Sequence, residues 1–191
     1  MKAPKLLLCD LDSTLAVKWQ PALLPGRAEA LALAGWPVAI VTNQGGVHAG
    51  YHWRKKEPER GERYPTVESL RERLEAITAA LPQVQAVYLA FYVGHDEFEL
   101  PPERDDVRFR LAGGVHFHGS WSPGWRKPNA GMLCQACRDF DADPREVWFL
   151  GDAEDDRDAA TTLGMPFSRI TEAAWEERFL VAEWMKLEAG S

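Results

Sequence analysis

Lys5-Leu6-Leu7-Leu8-Cys9-Asp10-Leu11-Asp12-Ser13-Thr14-Leu15 is an apolar run of strand length that ends abruptly on two aspartates spaced i, i+2, followed by two hydroxyl residues. A buried strand does not normally finish on carboxylates, because an unpaired charge there is costly. At the C-terminal end of a strand, the same pair would sit in the crevice where open α/β sheets place their ligands. Two carboxylates on one turn can share a hard cation through oxygen ligands, and one of them can serve as a nucleophile. Asp-x-Asp alone is a weak signal, so its meaning depends on what the rest of the chain supplies.

Downstream, apolar strand-like runs alternate with helical patterns. Residues 16–25 read as an irregular flap containing Trp19, Pro21 and Pro25, and Gly26 to Ala34 as a helix stopped by Gly35. Pro37 to Thr42 is a second buried strand, leading into Asn43-Gln44-Gly45-Gly46. Thr66 caps a helix over Val67 to Leu81 that Pro82 ends. Val84 to Val93 reads as a third strand, and Pro128-Asn129 open a helix to about Phe140. Val147 to Leu150 is a fourth strand ending in Gly151-Asp152. Glu154 to Leu163 reads as a helix, Met165 to Ile170 as a short strand, and Thr171 to Leu187 as an amphipathic helix. This alternation predicts an α/β fold with a doubly wound, mainly parallel sheet. Two stretches interrupt it, a basic and aromatic insertion at about 48–65 without clear period and a long irregular segment at about 94–125. Loops of that length in a compact domain are usually functional.

The 191 residues are most economically one domain, 46% hydrophobic and 27% charged. No apolar run approaches a membrane span of roughly 20 residues, and the N-terminal run lacks a signal-peptide pattern, so a cytoplasmic protein without a membrane partner is expected. No obligate protein partner is evident. Three cysteines give no disulfide framework. Cys9 reads as a small core residue, and Cys134 and Cys137 as part of a buried helix face rather than a ligand pair. The net charge of −7 argues against a constitutive nucleic-acid binder. It is unevenly spread: His48 to Arg63 holds five Lys/Arg against three Glu, whereas Asp141 to Glu188 holds thirteen Asp/Glu against five Lys/Arg.

Four strand or helix ends thus carry polar groups able to converge on one crevice: Asp10/Asp12, Thr42-Asn43, Arg126-Lys127 and Asp152/Asp156. In order and spacing, the segments Asp10-Leu11-Asp12-Ser13-Thr14, Val41-Thr42-Asn43-Gln44-Gly45-Gly46-Val47, Arg126-Lys127-Pro128-x-x-Gly131-Met132 and Gly151-Asp152-Ala153-Glu154-Asp155-Asp156 resemble the motifs of the haloacid dehalogenase (HAD) superfamily. Thr-Asn-Gln and Arg-Lys-Pro resemble the subgroup of histidinol-phosphate and heptose-bisphosphate phosphatases and the polynucleotide 3′-phosphatase domain. The resemblance implies a Mg²⁺-dependent phosphomonoesterase without a large cap domain. Asp10 would be the nucleophile, forming an aspartyl-phosphate, and Asp12 the proton donor and acceptor. Lys127 would neutralise the phosphoryl group, which Thr42, Asn43 and Arg126 would help bind. Asp10, the Asp12 carbonyl and Asp152 would hold the metal, with Asp156 (Asp155 is the neighbouring alternative) orienting a metal-bound water or Lys127.

The zinc-binding cysteines of the heptose-phosphate relatives are replaced here by Val93-Gly94-His95 and Pro123-Gly124-Trp125, so zinc is not expected, although His95, His116 and His118 share one loop. Basic groups around Tyr51, Trp53 and Tyr64, with Trp121 and Trp125, suit either a nucleic-acid 3′ end or a charged loop whose aromatics pack on the domain. The substrate therefore stays open between a small phosphorylated metabolite and a nucleic-acid 3′-phosphate. A non-catalytic phosphate-binding or regulatory protein on the same fold is the competing reading. A kinase P-loop motif is absent from the sequence.

Overall fold

The structure, a computed structural model, describes residues 4–95, 97–102, 105–170, 179–180 and 182–183. The strands are β1 (Leu6–Cys9), β2 (Val38–Asn43), β3 (Val84–Ala90), β4 (Val107–Arg110), β5 (His116–Ser120), β6 (Val147–Gly151) and β7 (Phe167–Arg169). Between them run α1 (Arg27–Ala34), α2 (Gly46–Lys56), the single turn α3 (Pro58–Gly61), α4 (Val67–Ala80), α5 (Gly131–Asp139) and α6 (Glu154–Thr162). The sheet order is β4-β5-β3-β2-β1-β6-β7, parallel throughout except for edge strand β4, which is antiparallel to β5. This is the α/β, doubly wound arrangement expected.

Both faces of the sheet are covered. Successive side chains on a strand point to opposite faces, so Leu7, Cys9, Val38 and Ile40 join Leu31, Leu70, Leu74 and Ile77 in one core. Leu6, Leu8, Ala39 and Val41 meet Met132, Leu133, Ala136 and Ala160 in the other. Burial on both sides is why these strands are unbroken apolar runs instead of alternating ones. Cys9 and Cys137 are buried free thiols, the latter on the inner face of α5, where Cys134 is half-buried. Central strand β1 pairs with β2 on one side and β6 on the other. The C-terminal ends of these three strands therefore open a common crevice at the switch in strand order.

Two stretches differ from expectation. Residues 48–65 are not aperiodic: α2 and α3 occupy most of them. The inward positions of α2 are Val47, His48, Ala49, Gly50 and His52, so histidines and small residues stand where a hydrophobic period would be sought. The 94–125 segment contains the hairpin β4–β5, whose turn uses Gly113 and Gly114 at positive φ. Strand β5 reads His-Phe-His-Gly-Ser and β4 is an exposed edge, so neither shows an apolar run. Smaller differences are at ends: β3 stops at Ala90 and α5 begins at Gly131. The helix expected over Thr171 to Leu187 lies almost wholly outside the described residues. Among the described residues, no helix is long and apolar enough to cross a membrane.

Candidate active site

A cavity of about 360 Å³ lies over the ends of β1, β2 and β6 and is lined by Asp10, Asp12, Thr42, Asn43, Arg126, Lys127, Asp152 and Asp156. All eight residues expected from the sequence are therefore brought together. Asp10 follows β1 directly, its backbone N–H donating to Leu150 O at 2.8 Å, which ties β1 to β6 at the cavity floor. The Asp10 side chain is 10% exposed.

Lys127 reaches this floor from the loop before α5. Its Nζ lies 2.6 Å from Asp10 Oδ1 and 2.5 Å from Asp156 Oδ1, and donates to Val41 O at 3.0 Å. Burial disfavours the ammonium, but Asp10 and Asp156 outweigh it and raise the Lys127 pKa, so the side chain stays charged. Asp156, on the first turn of α6, also accepts from Ala153 N–H through Oδ2 at 3.1 Å. Gly151 makes that fold-back possible, since a Cβ there would stand 2.3 Å from Asp156 Oδ2.

One oxygen from each of Asp10, Asp152 and Asp156 falls within 4.8 Å of the others. Three carboxylates facing one ammonium leave surplus negative charge. Burial pushes the Asp10 carboxyl above the usual carboxylate range, Asp156 and Asp152 add to the effect, and Lys127 opposes it. Asp152 is raised likewise, by burial and then Asp156. A donor set of hard oxygens carrying uncompensated charge fits a hard divalent cation.

Asn43, expected to help bind phosphate, lines the cavity and turns its amide to the Lys127 backbone, accepting from Lys127 N–H and donating to Lys127 O, both at 3.0 Å, so it clamps the lysine loop to β2. Arg126 lines the cavity while donating to Tyr92 O at 3.2 Å. Asp156, expected beside the metal to orient a metal-bound water or Lys127, has Lys127 on Oδ1 and Ala153 N–H on Oδ2.

Two further residues act at the site without having been singled out from the sequence. Gln44 Nε2 donates to Asp12 Oδ2 at 2.9 Å and to Thr42 Oγ1 at 3.1 Å. The Gln of the Thr-Asn-Gln segment was a readable signal for it. Arg73 on α4 lies 2.5 Å from Asp12 Oδ1, and no local pattern around it hints at this.

The loop features fare differently. His118 pairs with Asp106 at 2.9 Å, His116 is exposed near the start of β5, and His95 packs on Phe98, so the three histidines are not brought together. The basic insertion is used internally. Arg54 donates to Tyr64 O and Pro65 O, Lys55 pairs with Glu99, and Trp53 lies beneath Arg60, 3.3 Å from ring centroid to guanidinium carbon. Trp121 packs on Phe91 and Trp125 on His118. Of the two readings of this insertion, the geometry at Trp53 favours the packed one, because its ring already meets Arg60, His52 and Phe98.

A mainly parallel sheet with paired carboxylates after β1, a hydroxyl near the C-terminal end of β2, a buried lysine before α5 and further carboxylates after β6 has the layout of the HAD-like hydrolases. A HAD-hydrolase-like family model matches residues 124–171, which hold the lysine and the second acidic segment. The chain is 30% identical to the D-glycero-beta-D-manno-heptose-1,7-bisphosphate 7-phosphatase of Pseudomonas putida over 175 residues, covering 84% of this chain and 78% of the relative. It is 30% identical to the same-named protein of Pseudomonas aeruginosa over 161 residues, 81% and 70% of the respective lengths. The solved D,D-heptose 1.7-bisphosphate phosphatase from B. bronchiseptica, complexed with magnesium and phosphate, shares the fold with a TM-score of 0.65 at 19% identity, over 96% of this chain and 99% of that one. The chain belongs to the HAD superfamily of hydrolases, as one of its phosphatases.

Proposed function

We propose that this phosphatase hydrolyses a small phosphorylated metabolite, of the phosphosugar class, with Mg²⁺ and through an aspartyl-phosphate. The observation carrying the chemistry is the buried Asp10 carboxylate, paired at 2.6 Å with Lys127 and within reach of the Asp152 and Asp156 oxygens. A phosphate dianion repels an approaching carboxylate, and fixed positive charge must offset that repulsion before attack. Lys127 supplies part of it. Asp10, the Asp12 carbonyl and Asp152 would hold Mg²⁺, which when bound supplies the remaining charge neutralisation at the phosphoryl oxygens.

Asp10 attacks phosphorus through Oδ2, the oxygen that Lys127 does not engage. The new O–P bond forms as the ester P–O bond breaks, and Asp12 gives its proton to the leaving oxygen. In the second half Asp12 takes a proton from water, whose oxygen displaces the Asp10 carboxylate and releases inorganic phosphate. Thr42 accepts from Gln44 and so keeps its own hydroxyl proton for a phosphoryl oxygen. Asp156 holds Lys127, and Asn43 holds the loop that carries it. These roles are taken by residues of one α/β unit.

The choice of a small substrate has two supports. Relatives at 30% identity are named for a heptose bisphosphate, and the basic insertion that a polymer end would need is committed to intramolecular contacts. The test is a substrate panel with and without Mg²⁺, containing phosphosugars, amino-alcohol phosphates, 3′-phosphorylated oligonucleotides and 4-nitrophenyl phosphate. Phosphosugar hydrolysis that needs Mg²⁺ and disappears in Asp10→Asn is expected. Activity surviving Asp10→Asn would remove the nucleophile assignment, and preference for the oligonucleotide would remove the substrate assignment.

A further inference from the structure

Arg73 stands far from the reacting centre in sequence but touches it in space. Its helix, α4, is fixed by Leu70, Leu74 and Ile77, an i, i+4, i+7 stripe buried in the core. The guanidinium is nearly enclosed, at 10% side-chain exposure, and is committed to one small region. Its NH2 group donates to Asp12 Oδ1 at 2.5 Å and to Val17 O at 3.3 Å, and its Nε to Gln20 O at 2.8 Å. The fork thus holds both sides of the 17–20 turn and the Asp12 carboxylate at once.

That turn in turn supports Asp12. Trp19 has φ 65°, a left-handed conformation uncommon for a bulky side chain. In this conformation its backbone N–H donates to Asp12 Oδ1 at 3.2 Å. Two donors therefore occupy Oδ1, whereas Oδ2 receives only Gln44 Nε2 at 2.9 Å. A carboxylate has about four lone-pair sites, so Oδ2 is the oxygen with room for a proton. The same turn places Lys18 and Trp19 on the cavity wall, and the Trp19 ring is 57% exposed.

We propose that Arg73 is a positioning residue for the reaction: by occupying Asp12 Oδ1 and clamping the 17–20 turn, it presents Asp12 Oδ2 to the leaving group. This rests on the assignment of Asp12 as proton donor given above. The alternatives for a guanidinium in this place are a plain structural tie and a direct phosphate ligand. The first would affect all substrates alike. Against the second, Arg73 is absent from the residues lining the cavity.

Leaving-group dependence separates these roles, because a leaving group that departs easily needs no proton. The experiment measures kcat and kcat/KM for aryl phosphomonoesters from 4-nitrophenyl to phenyl phosphate, with Mg²⁺, for the wild type, Arg73→Met, Arg73→Lys and Asp12→Asn. General acid catalysis contributes roughly 10²–10⁴-fold where it is needed. Arg73→Met is expected to lose about tenfold or more in kcat/KM on phenyl phosphate and less than about threefold on 4-nitrophenyl phosphate; kcat/KM covers only the steps up to the aspartyl-phosphate, so the later use of Asp12 on water does not enter it. Arg73→Lys keeps the charge and one donor, and is expected to recover part of the loss on phenyl phosphate. It also serves as the readable variant if Arg73→Met does not fold. An equal loss across the series in either variant, when Asp12→Asn shows a steepened dependence, overturns the role of Arg73 alone. An Asp12→Asn profile parallel to the wild type overturns the proton-donor assignment beneath it.

Discussion

Replacing Lys127 by Met removes a buried ammonium and leaves two buried carboxylates facing each other. The chain length is roughly kept, so cavity formation contributes little. At an effective dielectric constant of about 20, an ammonium 2.6 Å from Asp10 and 2.5 Å from Asp156 gains about 6 kcal/mol from each. Desolvation of the three ions costs several kcal/mol per ion and largely cancels that gain, so the intact triad is close to neutral for stability. The variant still bears the desolvation of Asp10 and Asp156 without the attraction. Breaking a buried pair in this way costs about 3–5 kcal/mol. At about 2–4 °C per kcal/mol for a chain of this size, Tm should fall by roughly 6–20 °C near neutral pH.

Burial already holds the Asp10 carboxyl above its unfolded value of about 3.9 in the wild type, and without Lys127, which opposes that shift, it rises further, so between the unfolded and folded values the folded variant binds more protons than the unfolded chain. Stability then falls as pH rises through those values, and the gap between variant and wild type narrows on acidification. Thermal unfolding of both proteins without divalent cation, from about pH 7.5 down to about pH 5.5, should show the Tm difference shrinking. Phosphatase activity should fall at least about 10²-fold, the loss expected when one fixed transition-state charge is removed. A Tm deficit under about 3 °C at pH 7.5, or one independent of pH, would refute this account of the floor.

Other perturbations test other parts. Mg²⁺ binding as proposed should stabilise the wild type, by about 2.7 kcal/mol at a hundred times its Kd, and Asp152→Asn, which lacks one proposed ligand, should reduce or abolish that rise in Tm. Gly119→Ala should destabilise by about 1–3 kcal/mol, read as a lower denaturation midpoint, because the new Cβ would stand 2.3 Å from the Phe91 ring. Burial lowers the His48 pKa in the folded state, so the stability it contributes is present above its unfolded pKa of about 6.5 and is lost as pH falls through the lower folded value. His48→Asn, whose amide oxygen can accept from Val93 N–H as Nδ1 now does, should therefore lose less Tm than wild type on going from about pH 7 to pH 5. Equal slopes for the two proteins would refute the latter.

Why the site was readable and its loops were not follows from where each signal resides. Asp10, Thr42 and Asp152 lie at the ends of buried strands, where a polar residue after an apolar run is conspicuous on physical grounds alone. Lys127, by contrast, lies in a loop and was legible only through the resemblance of Arg126-Lys127-Pro128 to a family motif. The two loops hide their order because their inward residues are not aliphatic. His48 takes a buried position on α2, its Nδ1 accepting from Val93 N–H and its Nε2 within 3.1 Å of Glu99 O, and His52 stacks on Phe98 with a centroid separation of 4.5 Å. These rings tie α2 to the 93–99 segment, the region where cysteine and histidine ligands would otherwise be expected. Periodicity analysis counts histidine as polar and so reads an inner face as an outer one.

Arg73 shows a different limit. Within α4 it is an ordinary exposed-type residue beside Glu72 and Glu75, and nothing local separates it from Arg71, which makes an i, i+4 pair with Glu75. Only the packing of α4 against the sheet, which places its second turn over the 17–20 flap, gives the two arginines unequal surroundings. Arg71 is half exposed in its pair, at 50% of its side chain, where such a contact contributes about 0.3–0.5 kcal/mol. Arg73 is 10% exposed, with two backbone carbonyls and a carboxylate around it, where charge-assisted hydrogen bonds are about twice as strong as neutral ones. Replacing Arg71 should therefore leave both stability and catalysis near wild type, while the same replacement two residues on should change the flap and the use Asp12 makes of its second oxygen. If Arg71→Met altered the leaving-group dependence as much as Arg73→Met, the effect would belong to the charge of α4 and not to the geometry of one side chain.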